Sequence, residues 1–222
     1  PFAPTPPNTT YLYAAYCINI QVVDISADGR DDIVITHTAG VTALISQATG
    51  GFARQELRSS EEDVPGHAKR SAAPIDVDGD GKIDLLVVRQ HGALGYLKND
   101  GTGHLSDEAV VPGTASPGRI AVGDLNADGR SDFAIAGTQY ATPEAFCYLD
   151  MYLNDGNGGF TRQPRRMLPK DTYADALAIG DLTGDGRHDI VVTSSANQPL
   201  AMLFVFVQEA SGIPERFIRY PT

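Results

Sequence analysis

Residues 76–84 read Asp-Val-Asp-Gly-Asp-Gly-Lys-Ile-Asp, and this nine-residue pattern occurs four times in the 222-residue chain. In each copy, side chains that carry oxygen occupy positions 1, 3, 5 and 9, and glycine occupies position 6. The copies begin at Asp24, Asp76, Asp124 and Asp181, which are separated by 52, 48 and 57 residues. A repeat of about 50 residues is typical of propellers and other repeat arrays. The pattern therefore divides the chain into four similar units.

Several oxygen ligands on a short, sharply turned backbone are what a hard cation such as Ca²⁺ requires, and the main-chain carbonyl of position 7 adds a further ligand. We therefore predict about four structural calcium ions, one in each loop, with Arg and Lys contributing only that carbonyl. The predicted ligands are Asp24, Ser26, Asp28, Arg30 and Asp32 in loop 1; Asp76, Asp78, Asp80, Lys82 and Asp84 in loop 2; Asp124, Asn126, Asp128, Arg130 and Asp132 in loop 3; and Asp181, Thr183, Asp185, Arg187 and Asp189 in loop 4. Loop 2 is expected to bind most tightly, because position 3 is neutral in the other loops.

Two features separate these loops from an EF-hand, which lies between two helices and has a bidentate Glu at position 12. Here position 12 is Ile35, Val87, Ile135 or Val192. Each loop also leads into a short β-branched apolar run, which is typical of a buried strand. The sequence therefore predicts a calcium-binding β-hairpin that joins the first and second strands of each unit.

The rest of each unit also reads as β structure. In the third unit an apolar segment at 148–153 is followed by the glycine-rich turn 154–159 and a short strand that begins at Phe160. Glycine supplies the positive φ that a tight hairpin requires. We predict four antiparallel strands per unit, over approximately residues 15–60, 68–110, 118–166 and 173–220.

These calcium loops and Asn-Asp-Gly turns resemble FG-GAP repeats of the VCBS type, which form the blades of integrin-like and fungal-lectin-like β-propellers. The resemblance covers roughly residues 15–218 and implies an all-β fold, a single propeller domain or propeller fragment with four-stranded, radially arranged blades. Phe2 precedes Asp24 by 22 residues, much as Phe160 precedes Asp181 by 21, so Phe2 is predicted to begin an extra N-terminal outer strand. Three arrangements remain open: a closed four-blade ring, further blades from a longer chain, or a ring completed by a second copy.

Composition and charge limit the classes of partner and the cellular locations that fit this chain. The net charge is −11; four Ca²⁺ would add eight positive charges and leave −3. The absence of a basic stripe argues against nucleic acid, and no apolar run reaches the roughly 20 residues of a membrane span. Calcium loops of millimolar affinity suit a secreted or cell-surface protein, in an extracellular or periplasmic setting. Cys17 and Cys147 are predicted to be buried free thiols, because the repeat frame places them too far apart for a disulfide.

The loops opposite the calcium hairpins are the predicted partner-binding face, since ligands of repeat folds usually contact loops. The candidate ligand-binding residues on that face are His37, His91, Tyr140, Tyr173 and Asn197, and the segment 137–146 is predicted to be a long loop. Their aromatic, amide and imidazole groups could contact a sugar or a protein.

Two functions follow from the resemblance. Integrin-like repeats imply a calcium-stabilised module for extracellular adhesion or protein–protein interaction, and fungal-lectin-like repeats imply a carbohydrate-binding lectin. The first is favoured, because His37, His91, Tyr140 and Asn197 occupy corresponding positions and do not repeat. An enzyme is not expected: the acidic run 61–63 is typical of a solvated charge cluster, and His188 is predicted to point outward from loop 4.

Overall fold

The computed structural model describes residues 17–37, 40–58, 69–89, 94–112, 118–141, 144–170, 172–196, 202–210, 212–214 and 216–221. The regular elements in these ranges are all β-strands, arranged in four antiparallel sheets. No helix long and apolar enough to cross a membrane occurs in them. The predicted strand at Phe2 lies outside the described residues.

Blades 1 and 2 are four-stranded meanders in which neighbouring strands are consecutive in sequence. Blade 1 contains β1 (Cys17–Val23), β2 (Asp32–His37), β3 (Gly40–Ser46) and β4 (Phe52–Arg58). Blade 2 contains β5 (Lys69–Ile75), β6 (Asp84–Arg89), β7 (Leu94–Asn99) and β8 (Leu105–Val110).

Blade 4 is a meander of the same kind, and blade 3 has an additional strand. Blade 3 contains β9 (Arg119–Gly123), β10 (Asp132–Ala141), β11 (Glu144–Asn154), β12 (Phe160–Arg162) and β13 (Arg166–Lys170). Blade 4 contains β14 (Thr172–Gly180), β15 (Asp189–Ala196), β16 (Met202–Phe206) and β17 (Phe217–Pro221). The predicted all-β propeller fold with four antiparallel blades is confirmed.

The prediction of a long loop at 137–146 is wrong. Strands β10 and β11 continue to pair through Gln139↔Phe146 and Tyr140↔Ala145 up to Ala141↔Glu144. The segment up to Ala141 contains Thr and Tyr, which favour extended backbone, and it contains no proline to interrupt the ladder. Because β11 is longer in this hairpin, part of its edge is open to a further strand. Strand β13 pairs with β11 there, from Leu149↔Arg166 to Phe146↔Lys170.

The chain divides into two compact units, each with two blades and its own apolar core. Unit 1 contains Pro1–Pro74 and Gly81–Val110, and its core includes Val34 and Ile45 of blade 1 with Leu85 and Leu97 of blade 2. Unit 2 contains Ile75–Asp80 and Val111–Thr222. Its core joins Leu149 and Met151 of blade 3 to Val192, Phe204 and Phe206 of blade 4.

The two cysteines are both free thiols, as predicted, but they differ in exposure. Cys147 lies buried in β11, whereas Cys17 at the start of β1 is exposed. The prediction that Cys17 is buried is therefore wrong, because at this end of the strand its side chain reaches solvent rather than the core between the blades.

Candidate metal centres

The four acidic loops each join the first and second strands of a blade, as predicted. The glycine at position 6 has a left-handed backbone in every copy, with φ of 84° at Gly29, 80° at Gly81, 82° at Gly129 and 81° at Gly186. Glycine adopts this conformation without steric cost. Position 4 is also left-handed, and there Ala27 and Ala127 adopt φ of 54° and 59°. The loop path is thus the same with glycine or alanine at position 4.

The carboxylate at position 1 closes each loop by accepting main-chain hydrogen bonds. In loop 3, Asp128 N donates to Asp124 Oδ1 (3.1 Å) and Gly129 N donates to Asp124 Oδ2 (2.8 Å). Asp24 and Asp181 accept the equivalent bonds in loops 1 and 4. The N–H donors of loop 4, Gly186 first, lower the pKa of the Asp181 carboxyl. This position is therefore organised to carry a negative charge.

The carboxylate at position 9 is fully buried in all four loops, at Asp32, Asp84, Asp132 and Asp189. In loop 3, Leu125 N donates to Asp132 Oδ2 (2.9 Å) and Asn154 N donates to Asp132 Oδ1 (2.8 Å). The same side chain therefore ties the start of the loop to the end of the third strand. Burial raises the pKa of Asp132 to about 6 despite these two bonds, which lower it.

The arginine at position 7 has a role that the sequence did not reveal. Its guanidinium pairs with the position-5 carboxylate, as Arg30 with Asp28, Arg130 with Asp128 and Arg187 with Asp185. In loop 3, Arg130 Nε also donates to Asn154 O (3.0 Å). The last residue of the third strand is thus held at its N–H by position 9 and at its carbonyl by position 7.

The donor atoms in the loops fit a hard cation. In loop 2, one carboxylate oxygen from each of Asp76, Asp78 and Asp84 lies within 4.8 Å of the others, the one such acidic group among the described residues. In loop 1, the buried Oγ of Ser26 at position 3 has no hydrogen-bond partner in the structure. A buried hydroxyl without a partner costs about 1–3 kcal/mol, and a cation ligated by this oxygen would remove that cost. The side chains at positions 1, 3, 5 and 9 would hold such an ion, with the carbonyl of position 7.

An asparagine at the end of the third strand connects consecutive loops, and sequence reasoning treated it only as part of a turn. In unit 1, Asn99 Nδ2 donates to Ile25 O of loop 1 (2.6 Å) and Ile83 O of loop 2 (2.9 Å). In unit 2, Asn154 Nδ2 donates to the carbonyls of Asp76 (3.0 Å) and Ser131 (3.1 Å). The shared Asn-Asp-Gly pattern of the two turns was the available signal.

A different contact joins loops 3 and 4. Asp124 N donates to His188 Nδ1 (2.9 Å), and His188 N donates to Gln208 Oε1 (3.0 Å). The prediction that His188 points outward is therefore wrong, because its ring packs against the neighbouring loop of the same unit. The imidazole acts here as a hydrogen-bond acceptor between blades.

The structure describes three of the five candidate ligand-binding residues, His37, Tyr140 and Tyr173. His37 is buried at 3% exposure, and its Nε2 lies 3.0 Å from Thr42 Oγ1. Tyr140 lies in β10 opposite Ala145, and Tyr173 lies half-buried in β14 opposite Ser195. His91 and Asn197 lie outside the described residues. The ligand-binding role of these five residues stays a prediction.

The loops and blades match a known repeat. The profile of the FG-GAP-like repeat matches residues 24–87, 76–135 and 136–192, which together are more than half of the chain. The chain belongs to the FG-GAP-like repeat family. Its propeller fold suggests a protein–protein interaction module.

The matched segments of this FG-GAP-like repeat protein contain all four acidic loops. No curated protein matches the chain. Among solved structures, the Photorhabdus luminescens Tc holotoxin pore contains a similar chain, with 22% identity and a TM-score of 0.45. The match covers 85% of this chain and only 8% of the toxin chain.

Proposed function

We propose that this chain is a calcium-binding, calcium-stabilised propeller module for extracellular adhesion or protein–protein interaction. The observation that carries the proposal is the repeated oxygen-rich loop at the same junction of every blade, with three carboxylate oxygens of loop 2 within 4.8 Å of one another. An all-oxygen donor set is the chemistry that Ca²⁺ prefers. The family's propeller fold supports the interaction function.

The role proposed for calcium is structural. Each loop draws its oxygen ligands from one hairpin. The carboxylate at position 9 also accepts a hydrogen bond from a main-chain N–H at or just after the end of the third strand. A cation that binds the folded loops stabilises the folded state by mass action. The setting that fits loops of millimolar affinity is extracellular or periplasmic, where calcium is abundant.

Thermal unfolding in calcium and in chelator tests the proposal. Asp80 at position 5 of loop 2 is exposed, so Asp80→Ala is expected to remove a ligand with little loss of packing. In calcium at about 100 times the dissociation constant of the loop, one bound ion stabilises the folded state by about 2.7 kcal/mol, so the Tm of the variant should fall by about 5–10 °C. In chelator it should fall by less than about 1 °C. Calorimetric titration with calcium should give about four ions per wild-type chain.

Two further variants serve as controls for the Tm measurement. Asp189→Ala removes the acceptor of Leu182 N and Gln208 N, so its Tm should fall in both conditions. Asp175→Ala alters an exposed carboxylate on β14, outside the loops, that accepts one exposed hydrogen bond from Ser195 Oγ (3.2 Å). It should lower both values equally, by less than about 2 °C. Equal losses for Asp80→Ala in calcium and in chelator would contradict structural calcium binding.

A further inference from the structure

The outer edge of blade 3 carries a basic segment in a strongly acidic chain. Residues 160–170 contain Arg162, Arg165, Arg166 and Lys170 and no acidic residue, although the chain has a net charge of −11. Blade 4 has no comparable run in its outer strand, where Arg219 is the one basic residue of β17. The positive charge is therefore concentrated at one place in the described part of unit 2.

Two of these guanidinium groups are held in place by one buried carboxylate. Arg162 Nη2 donates to both oxygens of Asp150 (2.9 and 3.1 Å), and Arg165 donates through Nε (2.8 Å) and Nη2 (2.7 Å). The Asp150 side chain is 5% exposed, whereas those of Arg162 and Arg165 are 38% and 30% exposed. The guanidinium of Arg165 also lies 3.8 Å from the centre of the Tyr148 ring.

This arrangement fixes both arginines at one carboxylate while their side chains stay partly exposed. The three groups together carry two positive formal charges and one negative formal charge. Most surface arginines lose side-chain entropy when they bind an anion. Arg162 and Arg165 have already lost much of that freedom at Asp150, which lowers the entropic cost of binding a second carboxylate.

The basic segment begins on the ordinary outer strand β12, which ends at Arg162, and continues onto β13, which begins at Arg166 and is the strand that the other blades lack in the described part of the chain. Strand β13 pairs with the lengthened part of β11 and forms a second outer strand. Met167 on this strand is 46% exposed. Departures from a repeat often carry the binding function of a repeat protein. Basic residues on an edge strand also prevent sheet-to-sheet aggregation, so the experiment must separate that role from binding.

We propose that the outer edge of blade 3, from Arg162 to Lys170, binds an acidic peptide segment of a partner protein. This inference rests on the proposed function as an interaction module and names the chemistry of its partner. Guanidinium groups bind carboxylates with paired, charge-assisted hydrogen bonds. An acidic segment is repelled by the net charge of the chain and attracted at this edge, which orients the encounter.

Fluorescence anisotropy with a short labelled peptide of alternating Glu and Ser tests the proposal, in millimolar calcium and low salt. The double variant Arg162→Gln/Arg166→Gln should bind about tenfold more weakly than the wild type. Arg165 is kept, because its guanidinium binds the buried Asp150 and packs on the Tyr148 ring. The matched control Arg216→Gln/Arg219→Gln changes two exposed arginines in the outer segment of blade 4 and should shift the affinity less than about twofold.

Three outcomes of the peptide measurements would overturn the proposal: no saturable binding of the acidic peptide, equal weakening in both double variants, or equally tight binding of a Lys-Ser peptide. Heparin binding that depends on Arg162 and Arg166, without peptide binding, would assign the edge to a sulfated glycan and overturn the protein partner. The calcium-dependent rise in Tm is measured on the same samples. If the peptide does not bind but calcium still raises the Tm, only the proposal for the outer edge of blade 3 is rejected. If calcium does not raise the Tm, the proposal of calcium binding is rejected.

Discussion

Cys17 and Cys147 have different surroundings, which should give them different reactivity. Burial raises the pKa of the Cys147 thiol to about 12, so almost none of it is the reactive thiolate at neutral pH. Cys17 is exposed. We expect the native protein to react promptly with one equivalent of a thiol reagent such as DTNB, and with two equivalents after unfolding in urea.

Single-cysteine variants identify the reacting group. Cys17→Ser should abolish the fast phase, and Cys147→Ala should leave it unchanged. Two fast equivalents in the native wild-type protein would show that β11 opens readily, contrary to the packing of Cys147 in the core of unit 2.

The metal-binding positions of the loops could be predicted from their side chains, but some contacts of those side chains could not. The spacing of Asp76, Asp78 and Asp84 predicted a cation site, and the structure brings these three carboxylates together. The pairing of Arg130 with Asp128 could not be predicted, because only the main-chain carbonyl of position 7, and not its side chain, was expected to contact the ion. The direction of His188 depended on the neighbouring blade, which a single repeat does not contain.

At the level of the elements, Asn154 should contribute more to stability than an average turn residue. It is 3% exposed, its Nδ2 donates to the carbonyls of Asp76 and Ser131 in two loops, and its Oδ1 accepts from Gly156 N (2.8 Å). Asn154→Ala removes three hydrogen bonds, at about 1 kcal/mol each. We expect the free energy of unfolding, measured by urea denaturation in calcium, to fall by about 3 kcal/mol.

The matched control lies three residues away in the same turn. Asn157 is exposed, and its side chain donates only to Asp155 O, at 3.3 Å. Asn157→Ala should therefore change the free energy of unfolding by less than about 0.5 kcal/mol. Similar losses for the two variants would argue that the turn conformation, rather than the link between loops, determines the effect.

The strands that follow the repeat could be predicted from the sequence, and those that depart from it could not. Apolar runs and Asp-Gly turns fixed β2, β6 and β15 to within a few residues. The extended ends of β10 and β11 and the added β13 form by pairing with each other. The segments 139–141 and 144–146 have no strong apolar alternation of their own, so their extended structure depends on pairing with each other and, at Phe146, with β13.

For the whole molecule, charge should control stability when calcium is absent. The net charge of −11 falls in magnitude to −3 with four bound Ca²⁺, and self-repulsion destabilises a compact state of high net charge. Sodium chloride screens such repulsion. We expect the Tm in chelator to rise by about 5 °C from low salt to physiological salt, and the Tm in saturating calcium to change by less than about 2 °C.

Comparing the calcium-free protein with the calcium-bound protein separates charge screening from other effects of salt. A general effect of the salt on burial or hydration would raise both melting temperatures together, whereas screening acts mainly on the more highly charged form. If the calcium-free protein showed no salt dependence, the carboxylates of the four loops could not be repelling one another. Calcium would then have to stabilise the blades through the loop geometry at positions 1, 3, 5 and 9 alone.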